Sequence, residues 1–497
     1  MDSWQGQRYL IEVFEELRLL LFESGSFVVP ISMTSQESMG NFHDRPCRVV
    51  LRVSIQGRRA VELDEIAAIC KEREIHTIEC FFPDAQGVPR GKRIPTTHFL
   101  ETAYKGFELA NAALVWGRQC DVIQNIGYTN FDTGYPDMIA VPDLATFRII
   151  PWRVGAASVI CDCRERNGEY VAVSTRHICK KVADEALRIG YESIIGPELE
   201  FYLLDSSGAP LYEALECYSM ERGALLEPVL RKIRSSLEEM GVVIEACNTE
   251  YGPAQVEVNI HYSNALEAAD NSIRFKMAVK EIAHEFGYKA TFMAKPFSGY
   301  SGSGFHVHQS LNDTQGINAF STSHLEGLDE DLMGYYLAGL LEHAPIIATL
   351  GAPTVNAYKR VDDHSFAPTS ICWGIDNRTV AVRAIYGHGK ANRLEWRGGA
   401  ADANPYLLIA ACVAAGLDGI KERMRPPTRI DGDAYKRKEL LSLPTSLESA
   451  LKDISNDEFA KKLLGEFLEV FVSLGYRELS LWGSVVTDWE RDRYLDG

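Results

Sequence analysis

The stretch Ser301-Gly302-Ser303-Gly304-Phe305-His306-Val307-His308-Gln309-Ser310 decides how the rest of the chain is read. A Gly/Ser turn runs into a segment whose polar and apolar residues alternate, which is the period of a strand with one face buried. His306 and His308 fall on one face, Phe305 and Val307 on the other. A strand that aims imidazoles at a common point, beside a loop whose glycines let a ligand come close, suggests a metal and phosphate site.

Three further segments repeat the pattern with other charged groups. Glu198-Leu199-Glu200-Phe201 puts two carboxylates on one face. Gln255-Val256-Glu257-Val258-Asn259-Ile260, preceded by Glu250, puts Glu257 with Asn259. Arg393-Leu394-Glu395-Trp396-Arg397 groups two arginines with an acid. One such segment alone is most often a solvated strand face, because charged side chains are mostly exposed. Four together, each with an apolar reverse side, describe strands that gather acids, imidazoles and guanidiniums. Carboxylates converging without cations repel one another. Glutamates with a histidine suit Mg²⁺ or Mn²⁺, and arginines suit phosphate or carboxylate. Metal ions with ATP would resolve the conflict.

The bulk properties narrow the classes. The chain has 497 residues, 46% of them hydrophobic and 24% charged, as expected of a globular protein of several domains. Its 51 basic and 69 acidic residues give a net charge of −18, which argues against broad binding to nucleic acid or an anionic membrane. No apolar run approaches the ~20 residues that span a bilayer. The stretch around Leu19-Leu20-Leu21-Phe22 follows acids rather than a basic leader, so it reads as an amphipathic helix, or an over-long start, rather than a signal peptide. The eleven cysteines show no CxxC pair, which favours reduced thiols and the cytoplasm.

Along the chain the expected organisation is an extension over 1–58, a small α+β unit over 59–155 and one large domain over 156–497. In the small unit, helical spacing predicts a helix over 61–74, then a strand over 75–82, a turn at 83–87 and a return at 91–95. In the large domain the pattern predicts helices over 177–190, 225–240, 265–286 and 328–350, and strands over 194–204, 242–246 and 255–262. No Gly-rich dinucleotide fingerprint stands at a strand–helix junction.

The segments Gly196-Pro197-Glu198-Leu199-Glu200-Phe201, Ser301 to Leu311, Asn356-Ala357-Tyr358-Lys359-Arg360 and Arg393 to Tyr406 resemble the bacterial class I type of glutamine synthetase, in the right order from about residue 60 to the end. The resemblance implies an α+β fold: an N-terminal β-grasp domain, and a C-terminal catalytic domain with a curved antiparallel sheet and helices. It implies two Mg²⁺ or Mn²⁺ ions per active site, ATP as co-substrate, L-glutamate as substrate and homo-oligomeric stacked hexameric rings with sites between neighbours. Carried over by position, Glu200, Glu250 and Glu257 match the ligands of one metal, and Glu198, His306 and Glu395 those of the other. Glu245, His308, Ser310, Arg383 and Arg393 match nucleotide-side residues. Gly302, Arg360 and Arg397 match residues holding glutamate, and Arg378 matches a phosphate-contacting arginine.

The chemistry implied has two halves. A carboxylate is a poor acyl acceptor until phosphorylation gives it a leaving group, after which an amine can attack the acyl phosphate. The first half finds all its parts here, and no metal ligand is missing, as it would be in an inactive relative. The second half departs from the family pattern. Phe366 stands where glutamine synthetases carry the flap glutamate that helps bind ammonium, and Ser301 stands at an asparagine position. A phenyl ring removes a cation ligand and adds apolar surface, which argues against ammonium and fits an organic amine. The runs Ser365 to Thr369 and Cys372 to Arg378 are similar to the γ-glutamylamide branch, which includes γ-glutamylanilide and γ-glutamylpolyamine synthetases. Neutral aniline-type amines stack on aromatic rings, so an aromatic amine is the favoured acceptor. The acids of Val361-Asp362-Asp363-His364 keep a cationic polyamine open, and use of ammonia is the remaining alternative. A plain packing role for Phe366 and Trp373 stands beside these readings.

Overall fold

The computed structural model describes residues 62–123, 126–322, 331–361, 365–387 and 389–496. The expected N-terminal extension and the acids Asp362 and Asp363 lie outside the described residues. Residues 61–497 form one compact unit built around two sheets.

The first sheet contains β1 (Thr77–Pro83), β2 (Pro89–Pro95), β3 (Phe107–Ala110), β4 (Asp137–Pro142), β5 (Arg148–Ile149) and β6 (Ala156–Arg164). Its order is β2-β1-β6-β4-β3, with β5 on β6. The β1–β6 pairing is parallel and the others are antiparallel. The expected helix before it is present as Leu63–Glu72, with Ile66 and Cys70 turned inward.

The second sheet carries the segments singled out above. Its strands are β7 (Glu192–Leu204), β8 (Ile244–Thr249), β9 (Gln255–Ile260), β10 (Ser263–Asn264), β11 (Lys289–Thr291), β12 (Phe305–Asn312), β13 (Trp373–Ile375), β14 (Val382–Ile385) and β15 (Arg393–Trp396). The order is β13-β14-β15-β12-β7-β9-β8, with β10 and β11 also on β7. Every pairing is antiparallel except β13–β14 at the edge. This is the expected α+β architecture, its large sheet mixed at one edge. Leu199, Phe201, Val256, Val258, Phe305, Val307, Leu394 and Trp396 are buried on the reverse face, as the alternation requires.

Helices Thr175–Arg188, Ala265–Glu285 and Pro405–Glu422 bring their apolar faces into the main core. The last crosses helix Leu332–Glu342 so closely that a Cβ on Gly339 would stand 2.0 Å from the Ala415 carbonyl oxygen. Only glycine permits that approach. The single helix expected over 328–350 is two helices, Leu332–Glu342 and Ala344–Gly351, meeting at His343. Pro345 sits in the first turn of the second, where its missing N–H costs nothing, whereas inside one long helix it would break the ladder.

Arg176 joins the two sheets' surroundings. Its guanidinium donates to Asp270 on helix Ala265–Glu285 (3.0 Å), to Asp143 just after β4 (2.8 Å) and to Asp162 on β6. Asn404 Nδ2 donates to the carbonyls of Asp84 and Ala85 in the β1–β2 turn, both at 3.2 Å.

Candidate active site

Register places the charged residues side by side. His306 on β12 faces Glu198 on β7, Glu200 faces Glu257 on β9, and His308 faces Glu395 on β15. Glu395 in turn faces Arg383 on β14. A period-two polar face on each of five adjacent strands therefore becomes one polar surface. It floors a cleft of about 410 Å³, whose lining includes Glu198, Glu200, Glu250, Glu257, His306 and Glu395.

The floor is tightly wired. Glu198 Oε1 lies 2.7 Å from His306 Nδ1, and its Oε2 lies 3.2 Å from His308 Nε2. Asn259 donates to Glu198 at 2.9 Å. Glu200 accepts from Gln255 Nε2 (3.0 Å) and from the Gly304 backbone N–H (2.8 Å). Glu250 accepts from Asn248 at 3.0 Å. Glu395 accepts from Arg383 (3.1 Å) and Arg397.

The electrostatics divide the acids into two kinds. Burial works to raise Glu198, but hydrogen bonds from His306 and His308 outweigh it and hold the carboxyl well below the usual range. Burial also opposes ionisation of Glu395, yet the charges of Arg397 and the two histidines bring it down to about 2. Glu257 is pushed up to about 10, by burial first and then by the charges of Glu198, Glu200 and Glu250. Glu250 rises to about 7, by burial and then by Glu200. Such like-charge crowding is what a bound cation relieves.

The donor set fits a hard divalent ion. One ligand atom each from Glu198, His308 and Glu395 lie within 4.8 Å of one another, as do atoms from Glu198, Glu257 and His306. Glu198 belongs to both groups, and His308, which the resemblance matches to the nucleotide side, also stands beside these acids.

The cationic side is equally ordered. A Cβ on Gly302 would meet Arg360 Cγ at 2.6 Å and the Ala294 carbonyl oxygen at 2.7 Å, so only glycine lets this turn lie against Arg360. Arg360 and Arg397 are buried, and the Nε atoms of Arg383 and Arg397 are buried without a hydrogen-bond partner. Guanidiniums held this way are set to receive carboxylate or phosphate. Ser301, Gly302, Arg360, Arg378 and Arg397 all line the cleft.

Phe366 lines it too, 40% exposed, with a left-handed backbone (φ +58°) uncommon for a bulky residue. Its ring stacks on Tyr251, centroids 5.5 Å apart, and Cys217 and Tyr218 extend that wall. Tyr251, Tyr218 and Cys217 went unread in the sequence because no periodicity marks a residue on a connection. Gln255 carried a signal, standing two before Glu257 on the same face.

Four expected residues, His308, Glu245, Ser310 and Arg393, do not line this cleft. Glu245 sits exposed at the irregularity between Ile244 and Ala246 on β8 and pairs with His261 at 2.6 Å. Arg393 donates to His308 Nδ1 at 3.2 Å, and Ser310 lies two residues beyond His308 on β12.

Residues 172–494 match the family model for the glutamine synthetase catalytic domain. The chain belongs to the glutamine synthetase family. Among its relatives, the glutamate–isopropylamine ligase of a Pseudomonas species is 37% identical over 441 residues, covering 86% of this chain and 96% of the relative. The γ-glutamylethanolamide synthetase GlnA4 of Streptomyces coelicolor is 34% identical over 447 residues, covering 87% and 96%. The glutamine synthetase of Thermotoga maritima is 33% identical over 449 residues, covering 87% and 99%. A solved structure of GmaS in complex with ADP superposes with a TM-score of 0.78 at 30% identity, covering 87% of this chain and 99% of that one. Members of the glutamine synthetase family use ATP and divalent metal ions, and the acid floor is the place in this chain suited to such ions.

Proposed function

We propose that this ATP-dependent glutamate–amine ligase joins the γ-carboxylate of L-glutamate to a primary amine with a small apolar body, through γ-glutamyl phosphate. The observation that carries the reading is one cleft with two surfaces: an acid floor flanked by buried arginines, and an aromatic wall of Phe366 and Tyr251. In this reading Arg360 and Arg397, with the Gly302 turn, hold glutamate. Its γ-carboxylate oxygen attacks the terminal phosphorus of ATP and ADP departs. The amine nitrogen then attacks the acyl carbon, phosphate leaves, and the amide forms with loss of a proton from nitrogen.

Arg378 and Arg383 face the phosphoryl group and spread its charge, the kind of preorganised donor that accelerates such transfers. His308, Ser310, Arg393 and Glu245 take the nucleotide side. Glu200, Glu250 and Glu257 would hold one Mg²⁺ or Mn²⁺, and Glu198, His306 and Glu395 would hold the other. The bound ions would neutralise phosphate charge and align the transfer.

The choice of amine rests on the wall. Without a flap carboxylate, an ammonium ion finds less to bind, whereas an alkyl body finds two rings. Phe366 and Tyr251 already touch each other at 5.5 Å, so an acceptor would lie against the outer face of the pair, where an alkyl body or the aniline-type ring expected from the sequence can pack. The isopropylamine and ethanolamine relatives favour a compact aliphatic amine, the first with an apolar body and the second with a hydroxyl.

No helix among the described residues is long and apolar enough to cross a membrane. Work in the cytoplasm, where ATP and glutamate are supplied, and assembly as stacked hexameric rings complete the proposal. Phosphate release with ammonium, isopropylamine, ethanolamine, aniline and putrescine, each with mass detection of the γ-glutamyl product, tests it. Ammonium as the best acceptor would overturn the amine assignment, and silence with every nitrogen nucleophile would overturn the ligase itself.

A further inference from the structure

A second cavity, of about 770 Å³, shares no lining residue with the active-site cleft. Its walls come from the β1–β2 hairpin, helix Ala265–Glu285, the segment after β11, and the loops at Thr354–Asn356 and Asp402. On a chain of net charge −18 it gathers cations. Lys276 and Lys280 stand one turn apart on the helix, an arrangement that is mutually repulsive. Their Nζ atoms lie 5.6 and 5.8 Å from the Phe292 ring centroid, so both reach the same ring, and Lys280 is near enough for its charge to bear on Lys276. Arg118 is near enough that its charge opposes protonation of both lysines.

Of the neighbouring acids, Asp402 alone acts on Lys276, favouring its charge but not enough to offset burial and Lys280. Glu79 is taken by Arg93 (2.7 Å) and Arg153, and Glu281 by Arg153 (2.7 Å) and the Trp152 indole (2.6 Å). Of the remaining acids in the lining, Asp402 accepts from Thr354 at 2.8 Å through one oxygen, and its other oxygen is buried without a partner. Glu478 is the other. Lys276 has one polar contact, the Ala403 carbonyl oxygen at 3.0 Å. Burial first, then Lys280, lowers its pKa to about 7, a cost that an anion in the cavity would reverse.

The same walls lead to the substrate arginines. Thr354 and Asn356 directly precede the turn Ala357–Arg360, and Asp402 follows Arg397 by five residues. An occupant that repositions Lys276 and Asp402 therefore bears on both loops.

We propose that this cavity is a regulatory site for a small polyvalent oxyanion, held by Lys276, Lys280 and Arg118, and that its occupancy changes the affinity for glutamate. The shared chemistry is two or more negative oxygens, from a phosphate or from a dicarboxylate. Isothermal titration of the full-length protein, its active site filled with glutamate, Mg²⁺ and a non-hydrolysable ATP analogue, separates the sources, with inorganic phosphate in one arm and succinate in the other. One arm saturates, and Lys280→Gln and Arg118→Gln each weaken it by about tenfold, the loss of one charged contact. Both side chains are exposed, so the variants keep the wild-type melting temperature. Failure of both arms to saturate, or equal binding by wild type and variants, would overturn the site. In turnover assays the binding anion shifts the KM for glutamate in wild type and not in Lys280→Gln. Binding without that shift would overturn the regulatory role, and an acidic segment of a second copy seen in the cavity would overturn the proposal as a whole.

Discussion

Glu198, Glu200, Glu257, His306 and Glu395 sit on four strands joined by an unbroken ladder, whereas Phe366 and Tyr251 sit on the connections above them. The ladder fixes the floor, because slipping a strand by one residue would turn its carboxylates into the core and unbury its reverse face. The rim has no such constraint. It rests on a stacked ring pair and a left-handed backbone at Phe366, and it can change while the floor stays as it is. A scaffold built this way keeps phosphoryl transfer constant and leaves the acceptor free to vary.

The largest expected effects break the floor, and two substitutions there should part company. Glu257→Gln should reduce turnover by roughly 10³-fold, the scale of losing a preorganised charge at the reacting centre. Its metal-free fold should melt no lower than wild type, because the crowding that pushes Glu257 up to about 10 is relieved. Glu395→Gln should also abolish turnover, but it leaves the buried Arg397 short of its partner, so its melting point should fall. Equal melting behaviour in the two variants, read by circular dichroism without metal, would refute the division of the acids into paired and crowded kinds.

Metal removal is the next test. An ion that binds only the folded state stabilises it by about 2.7 kcal/mol at a hundredfold excess over its dissociation constant. Adding Mg²⁺ or Mn²⁺ to the stripped protein should therefore raise the melting temperature by several degrees, and Glu257→Gln should lose most of that rise. A rise of the same size in the variant would remove Glu257 from the ligands.

The floor was legible in the sequence and the rim was not, for the same reason. Alternation in Phe305-His306-Val307-His308 states which face is polar, and a ladder then brings distant polar faces together. Tyr251 stands on a turn with no period, and its contact with Phe366 spans more than a hundred residues. Pro345 was a visible signal for the break between the two helices, masked by the apolar run on either side of it. The antiparallel sheet was expected as a whole, and the parallel β13–β14 pairing at its edge could not be read from three residues. Glu245 was read from its family position alone, and no alternation could have shown that it stands exposed at a register shift in β8 with His261 as its partner.

Changing the rim should shift preference without stopping catalysis. Phe366→Glu restores a carboxylate where the apolar wall stands, and the ratio of turnover with ammonium to turnover with isopropylamine should rise by about tenfold, the value of one charged contact. An unchanged ratio in competition assays would mean that the residue does not face the acceptor.

Tyr251→Ala is the finest of these tests, since it leaves Phe366 in place and removes the ring it stacks on. An aromatic pair contributes about 0.5–1.5 kcal/mol beyond its buried area, so the KM for an apolar amine should rise by roughly two- to tenfold. The KM values for glutamate and ATP should hold, because Tyr251 makes no side-chain hydrogen bond to the floor and only its backbone N–H reaches Glu250, at 3.3 Å. If the KM for glutamate rose instead, the ring pair would be bracing the arginines, for Arg397 reaches the Phe366 carbonyl oxygen at 3.5 Å. The split between the two KM values therefore says whether floor and rim are independent parts or one coupled unit.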